Sequence, residues 1–482
     1  MNKKVLHLSF FLLLAAQISF AQFKFCGQKA AMHQLSEKYP GYQRAVQQTF
    51  DDAKLAYQST AQSRSQQVHK VQVVVHVVYN TEVQNISDEL IQEQIDVLNE
   101  DFRRLNPDAV NAREMYQAIG ADAGIEFELA TVDPDGNPTN GITRTQTEVE
   151  SFVNLDLDLG KILEATAECG LDFVCIQEKI LVGGLEDNIE SGGVQMDDVK
   201  RSNRGGIDPW DTERYINIWV TNLNIDLLGQ EVPMILGFAY PPVGAPNWPD
   251  EIFEEDLASI AGLVIHHEAW GKSNAGDGLI GSLADGGRTT THEMGHYFGL
   301  RHVHGDGDCD ADDGISDTPA ADANQQAQPD PNSAPVCEEL HTINTCDSDD
   351  MPDMIENYMD YNAISCQNLF TVEQVGIMRA MLEGPRVGLI GGQVSTSVES
   401  ELATKALTVF PNPTANTLNI DLEGYKLEDF AVRVQTILGA AADVIISNNN
   451  RQIDMSDLAS GVYLVTLVKD DLQLTKKVSV LK

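Results

Sequence analysis

Three histidines and one glutamate occupy residues 292–302, in the run His292-Glu293-Met294-Gly295-His296-Tyr297-Phe298-Gly299-Leu300-Arg301-His302. On a helix, His292 and His296 share one face a turn apart, so both imidazoles can grip one ion. Glu293 projects beside them, where a carboxylate can take a proton from a metal-bound water. Gly299 lets the chain leave the helix with a positive φ and brings His302 back as a third ligand. Three protein ligands leave a fourth position open for water, the condition for a catalytic zinc. Ordinary helix packing gives no reason for three histidines at these spacings.

Downstream stands Asn357-Tyr358-Met359-Asp360-Tyr361. The long H-E-x-x-H-x-x-G-x-x-H pattern predicts a methionine-bearing turn beneath the metal. Met359 supplies it with a soft, adaptable side chain. Tyr361, two residues on, can bring its hydroxyl to the oxyanion that forms during hydrolysis. His266, His267 and Glu268 do not read as a second zinc site, because adjacent strand residues point to opposite faces. His304 is expected behind the ligands or at the surface, since His302 already fills the motif's third position.

The elements that must position these groups are legible around them. Residues 71–79 are β-branched and read as a buried strand. Ser87 caps a helix with Leu90, Ile91, Ile95, Leu98 and Phe102 at helical spacing. Residues 124–131, 214–221 and 262–267 read as further strands, the last just before the metal helix. Residues 371–382 form an amphipathic helix. Residues 387–404 are linker-like, and short alternating segments beyond Leu407 predict a small all-β module. The expected architecture is α+β, with a twisted sheet and zinc helix above, a loop-rich half below, and a β-sandwich at the end.

Composition bounds the rest. The chain has 482 residues and a formal net charge of -41. Such acidity repels nucleic acid and anionic membranes. Residues 1–21 carry Lys3 and Lys4, an apolar core and Ser19-Phe20-Ala21, a signal peptide by pattern. No other stretch is long and apolar enough for a bilayer, so an exported protein without a stable membrane span is expected. Residues 22–65 are polar and Gln-rich; a compact fold is not expected there, and a propeptide is. The divisions are therefore 1–21, 22–65, a catalytic domain at 66–390, a linker at 391–406 and a C-terminal module at 407–482.

Export makes disulfides expected among the seven cysteines. Cys169 and Cys175 can close a local loop. Cys309, Cys337, Cys346 and Cys366 allow three pairings. Cys26 is the odd one out, inside the propeptide. A thiolate is a good zinc ligand, so Cys26 can hold the water's position until cleavage near Arg64.

The ordered set of Gly287-Arg288-Thr289-Thr290-Thr291 before the helix, Asp317-Thr318-Pro319, the four cysteines, Asn357-Tyr358-Met359-Asp360-Tyr361 and Phe370-Thr371 resembles the pappalysin (cytophagalysin) family of metzincin metallopeptidases. The resemblance covers roughly residues 70–385. It implies a cleft between two subdomains, zinc-dependent endopeptidase action on proteins or peptides, and the pairing Cys309–Cys346 with Cys337–Cys366. It also implies structural calcium, and the residues agree: Asp306, Asp308, Asp310, Asp312, Asp313 and Asp317 crowd one loop of hard oxygen donors. Asp313 and Asp317 are the expected ligands, with carbonyls near Ile315. Relatives that cut before basic residues carry an aspartate before the last of these cysteines; here Ser365 stands there, which puts an arginine preference in doubt. Residues 409–416 and 458–464, with the terminal Lys476-Lys477-Val478-Ser479-Val480-Leu481-Lys482, resemble the type IX secretion sorting domain and imply a partner in that machinery. Two other classes stay open: a silent surface adhesin on a peptidase scaffold, against which intact Glu293 argues, and a zinc hydrolase of cell-wall amides.

Overall fold

A computed structural model describes residues 26–60, 67–153 and most of 196–391 and 407–482. The signal segment, Cys169, Cys175, Arg64 and the linker from residue 392 lie outside the described residues.

The β-branched run forms β1 (His69–Tyr79), the backbone of a mixed sheet. Its partners are β2 (Ile125–Leu129), β3 (Ile142–Gln146) and β4 (Tyr215–Thr221), all parallel to it. A hairpin of β5 (Asn224–Leu227) and β6 (Gln230–Pro233) follows. β7 (Gly237–Ala239) then pairs antiparallel with β8 (Leu263–His266), giving the order β2-β1-β4-β8-β7 with β3 beside β1. β7 is too short to carry a periodic signal and β3 is mostly polar, and neither is predicted above. β7 is the sheet edge nearest the site.

Strand alternation decides what each face buries. Val71, Val73, Val75 and Val77 of β1 pack with Ile91, Ile95, Leu98 and Phe102 of α3 (Asp88–Phe102) and with Met294 of α4 (Arg288–Tyr297). Ser87 caps α3, its hydroxyl accepting from Leu90 N. Every residue of α4 from Thr289 to Tyr297 is buried. Thr371 caps α5 (Val372–Glu383), which closes the lower side.

The segment within residues 22–65 departs from expectation. Instead of lacking compact structure, it forms α1 (Gln28–Lys38) and α2 (Tyr42–Thr60). Ala31, Leu35, Tyr42 and Ala45 pack against Trp219, Phe238 and Val264 on the sheet's other face. Phe50 and Ala53 join the main core, and the Tyr57 ring lies against Gly376 of α5. α1 has eleven residues, a length at which a helix is marginal alone; docking supplies its stability.

The C-terminal module is antiparallel, as its alternation predicts. β9 (Leu407–Phe410), β10 (Thr417–Leu422), β12 (Ile445–Ser447) and β13 (Gln452–Asp454) make one sheet, while β11 (Ala431–Thr436), β14 (Gly461–Lys469) and β15 (Leu472–Val480) make the other. Leu418, Ile453, Val465 and Val480 lie in its core. Among the described residues, no helix is long and apolar enough to cross a membrane.

Candidate metal centre

α4 ends as its glycine predicts. Gly299 has φ 87°, and the Leu300 N–H reaches back to the Gly295 carbonyl at 3.0 Å. That turn swings His302 under the helix. The three Nε2 atoms then converge: His292 to His296 is 3.1 Å, His296 to His302 3.0 Å and His292 to His302 3.2 Å. These are not hydrogen bonds, because each ring spends its proton elsewhere. His292 Nδ1 donates to the Tyr358 carbonyl at 2.7 Å, and His296 Nδ1 to the Leu300 carbonyl at 2.9 Å. His302 Nδ1 donates to Asp306 Oδ1 at 2.7 Å. Three lone pairs therefore face one point in a buried space. Tetrahedral zinc at about 2.0–2.1 Å from each nitrogen sets them about 3.3 Å apart, so the set fits that ion. Burial holds the His292 imidazole neutral, down to about 4, as a ligand must be.

Glu293 sits beside them, 1 % exposed, and among the described residues its Oε2 has no hydrogen-bond partner. Burial pushes its carboxyl up to about 8. A buried, partnerless oxygen next to three converging imidazoles is suited to a water held at the metal. Gly237 of β7 leaves room for it: a Cβ there would lie 2.9 Å from Glu293 Cγ.

Cys26 completes the group. Its Sγ is 3.5 Å from His296 Nε2, and it converges with His292, His296 and His302. The preceding segment reaches this point along the sheet edge, where Cys26 bridges Gly237 in parallel and the Gly27 N–H donates to the Gly237 carbonyl at 2.8 Å. Burial and the Glu293 carboxylate hold the thiol well above its ordinary range, so only a nearby cation would ionise it.

Met359 is fully buried below α4, with its Sδ pressed against the Cα position of Gly295. The glycine in the motif is thus what lets the methionine turn approach. Tyr361 stacks on His302 with ring centroids 4.4 Å apart, and its hydroxyl is 3.4 Å from His302 Nδ1. Burial and the Cys26 and Asp306 charges keep that phenol protonated. His304 is buried rather than at the surface, lying parallel to His302 at 5.1 Å.

The lower half is stapled by Cys309–Cys346 and Cys337–Cys366, the pairing the resemblance implied. Asp313 and Asp317 have different hydrogen-bond partners. Asp313 is buried and accepts from Ile315 N (2.9 Å) and Thr318 Oγ1. Asp317 accepts from Thr371 Oγ1 (2.6 Å) and Glu373 N (2.9 Å) at the start of α5. Ser365 is exposed. His266 has Leu223 N at 3.2 Å from its Nδ1, and among the described residues it belongs to no cluster of metal-binding groups.

Two supporting groups have no sequence signature. Asp101 of α3 accepts from Thr291 Oγ1 and from the Tyr358 hydroxyl, both at 2.8 Å, tying α4 to the methionine turn. Asp306 reaches His302 only because the loop turns back.

Residues 281–383 match the peptidase M43 family described as pregnancy-associated plasma protein-A, and residues 408–481 match the secretion system C-terminal sorting domain. A solved Tannerella forsythia promirolysin mutant is similar at 34 % identity and TM-score 0.55, over 76 % of this chain and 97 % of that one. Curated extracellular metalloproteases are similar too. That of Arthroderma benhamiae is 34 % identical over 167 residues, 33 % of this chain and 47 % of the relative. That of Colletotrichum graminicola is 42 % identical over 88 residues, 18 % of this chain and 28 % of the relative. The chain thus spans under half the length of these curated relatives. Fold, helix motif and methionine turn define a metzincin. The chain belongs to the pappalysin family and carries a type IX sorting domain, which makes it a secreted protein.

Proposed function

We propose that this chain is a secreted zinc metalloendopeptidase, made as a latent form. The observation that carries this reading is the trio of Nε2 atoms within 3.0–3.2 Å of one another, with the partnerless Glu293 Oε2 beside it. His292, His296 and His302 would hold the ion through fixed tautomers. When bound, zinc would acidify a water and polarise the scissile carbonyl. Glu293 accepts the proton of the attacking water and delivers it to the leaving amine. Tyr361, still protonated, donates a hydrogen bond to the developing oxyanion. The α1–α2 hairpin places Cys26 where that water would stand, which supports latency, and the similar solved structure is itself of a proform. Calcium in the loop around Asp313 is part of the same reading; the buried carboxylate supports it.

Glu293→Ala in the matured protein should abolish casein cleavage while zinc content stays at one per chain. Undiminished cleavage would sink the mechanism, and no cleavage by wild type would favour an adhesin. Products from a peptide library separate an endopeptidase from a cell-wall amidase. Cys26→Ala should give a full-length protein active before processing; a mutant as silent as wild type removes the thiol from the lock.

A further inference from the structure

The three imidazoles are not held alike. His292 and His296 donate to backbone carbonyls, of Tyr358 and Leu300. His302 alone donates to a carboxylate, Asp306 Oδ1 at 2.7 Å. Asp306 also has φ 61°, the left-handed region that a non-glycine residue enters at a cost. What holds it there is visible. Gly305 before it has φ 58°, and a Cβ at that position would lie 2.6 Å from Asp312 N. The Asp306 N–H donates to His304 Nδ1 at 3.1 Å, and the His304 ring lies parallel to His302. The bent backbone thus aims one carboxylate at the outer nitrogen of the third ligand, which sits on a loop rather than on the helix.

We propose that Asp306 is a positioning residue for the metal: it fixes the tautomer and orientation of His302 and raises the ring's basicity toward the ion. This rests on the zinc reading above. A carboxylate behind a ligating imidazole is the arrangement that tunes both affinity and orientation. The role takes Asp306 out of the calcium loop, where its position among the other aspartates had suggested it. His304 and Asp306 do not form a separate cation site with His302, because His302 Nδ1 carries the proton that Asp306 accepts.

Two substitutions in the full-length protein test this, read by zinc competition against a chromophoric chelator and by the visible spectrum of the cobalt-substituted protein. Asp306→Gly relaxes the backbone but removes the acceptor. It should weaken zinc binding by about 10–100-fold and shift the cobalt bands, while the thermal midpoint of the metal-free protein stays level or rises. Asp306→Asn keeps an acceptor oxygen without the charge and should fall between Asp306→Gly and wild type. The same pair repeated in Cys26→Ala removes the thiol's share of affinity and should keep the order. Wild-type zinc affinity and an unshifted spectrum in Asp306→Gly would overturn the proposal. A wild-type protein that holds no zinc would overturn the underlying metal reading instead.

Discussion

The upper and lower halves of the site are built by different physics. Above, His292, Glu293 and His296 ride on a helix buried from Thr289 to Tyr297, under a sheet of Val and Ile. Below, His302, Asp306, Met359 and Tyr361 stand on loops. Those loops are held by two disulfides, by the Arg113–Glu356 pair at 2.7 Å and by Asp353 accepting from Thr345 N at 3.0 Å. Apolar burial fixes the upper half, and crosslinks with directional polar contacts fix the lower. The ligand set is therefore half rigid by default and half rigid by fastening. A metal held by all three histidines would tie the two.

That contrast can be broken in order of expected effect. Replacing both Cys309 and Cys346 by serine should cost about 2–5 kcal/mol. Hydrogen exchange should show amides of residues 302–361 losing protection while those of β1 and β4 keep it. Simultaneous loss in both would mean that the halves are one cooperative unit. At the seam, Asp101→Asn leaves Tyr358 or Thr291 without its acceptor beside the Arg288 guanidinium. It should lower stability by about 1.5–3 kcal/mol, read by chemical denaturation, and the methionine-turn amides should open first.

The pH dependence has a share in each half, because burial also pushes Glu293 of the upper half up to about 8; a substitution at Asp313 isolates the lower one. Burial pushes the Asp313 carboxyl from 3.8 to about 8, so the folded state keeps a proton that the unfolded chain gives up. Its stabilising share is full below pH 3.8 and is lost as the pH climbs toward about 8. Metal-free protein should lose midpoint temperature across that window, and Asp313→Asn should reduce the slope to the part that Glu293 contributes. Calcium should reduce it too, because it binds the ionised carboxylate; a slope unchanged by Asp313→Asn would refute the assignment. The smallest effect belongs to Tyr361→Phe, expected to lower kcat on the order of tenfold with KM unchanged. A change in KM alone would make Tyr361 a substrate contact.

The same division decided how much was readable in the chain. The zinc helix, its glycine exit, Ser87, Thr371 and the long strands announce themselves through spacing and caps, because local rules govern them. The α1–α2 hairpin did not, since its Gln-rich helices exist through what they dock on. β7 has three residues, too few for a period, yet it receives Cys26. Asp101 looks like an ordinary surface acid, and Asp306 like one more donor of an acidic loop, until the fold brings Tyr358 and His302 to them. Asp317, expected as an ion ligand, also accepts hydrogen bonds at the start of α5, a contact its sequence position does not announce.

The contact between Gly295 and Met359 carries one further consequence. A helix interior normally gains about 1 kcal/mol when glycine becomes alanine; here the added methyl would collide with the sulfur beneath. The two positions are mechanically wedded across the cleft. Drift at one demands a matching retreat at the other, so homologues bearing a bulkier residue at 295 should carry a slimmer one at 359.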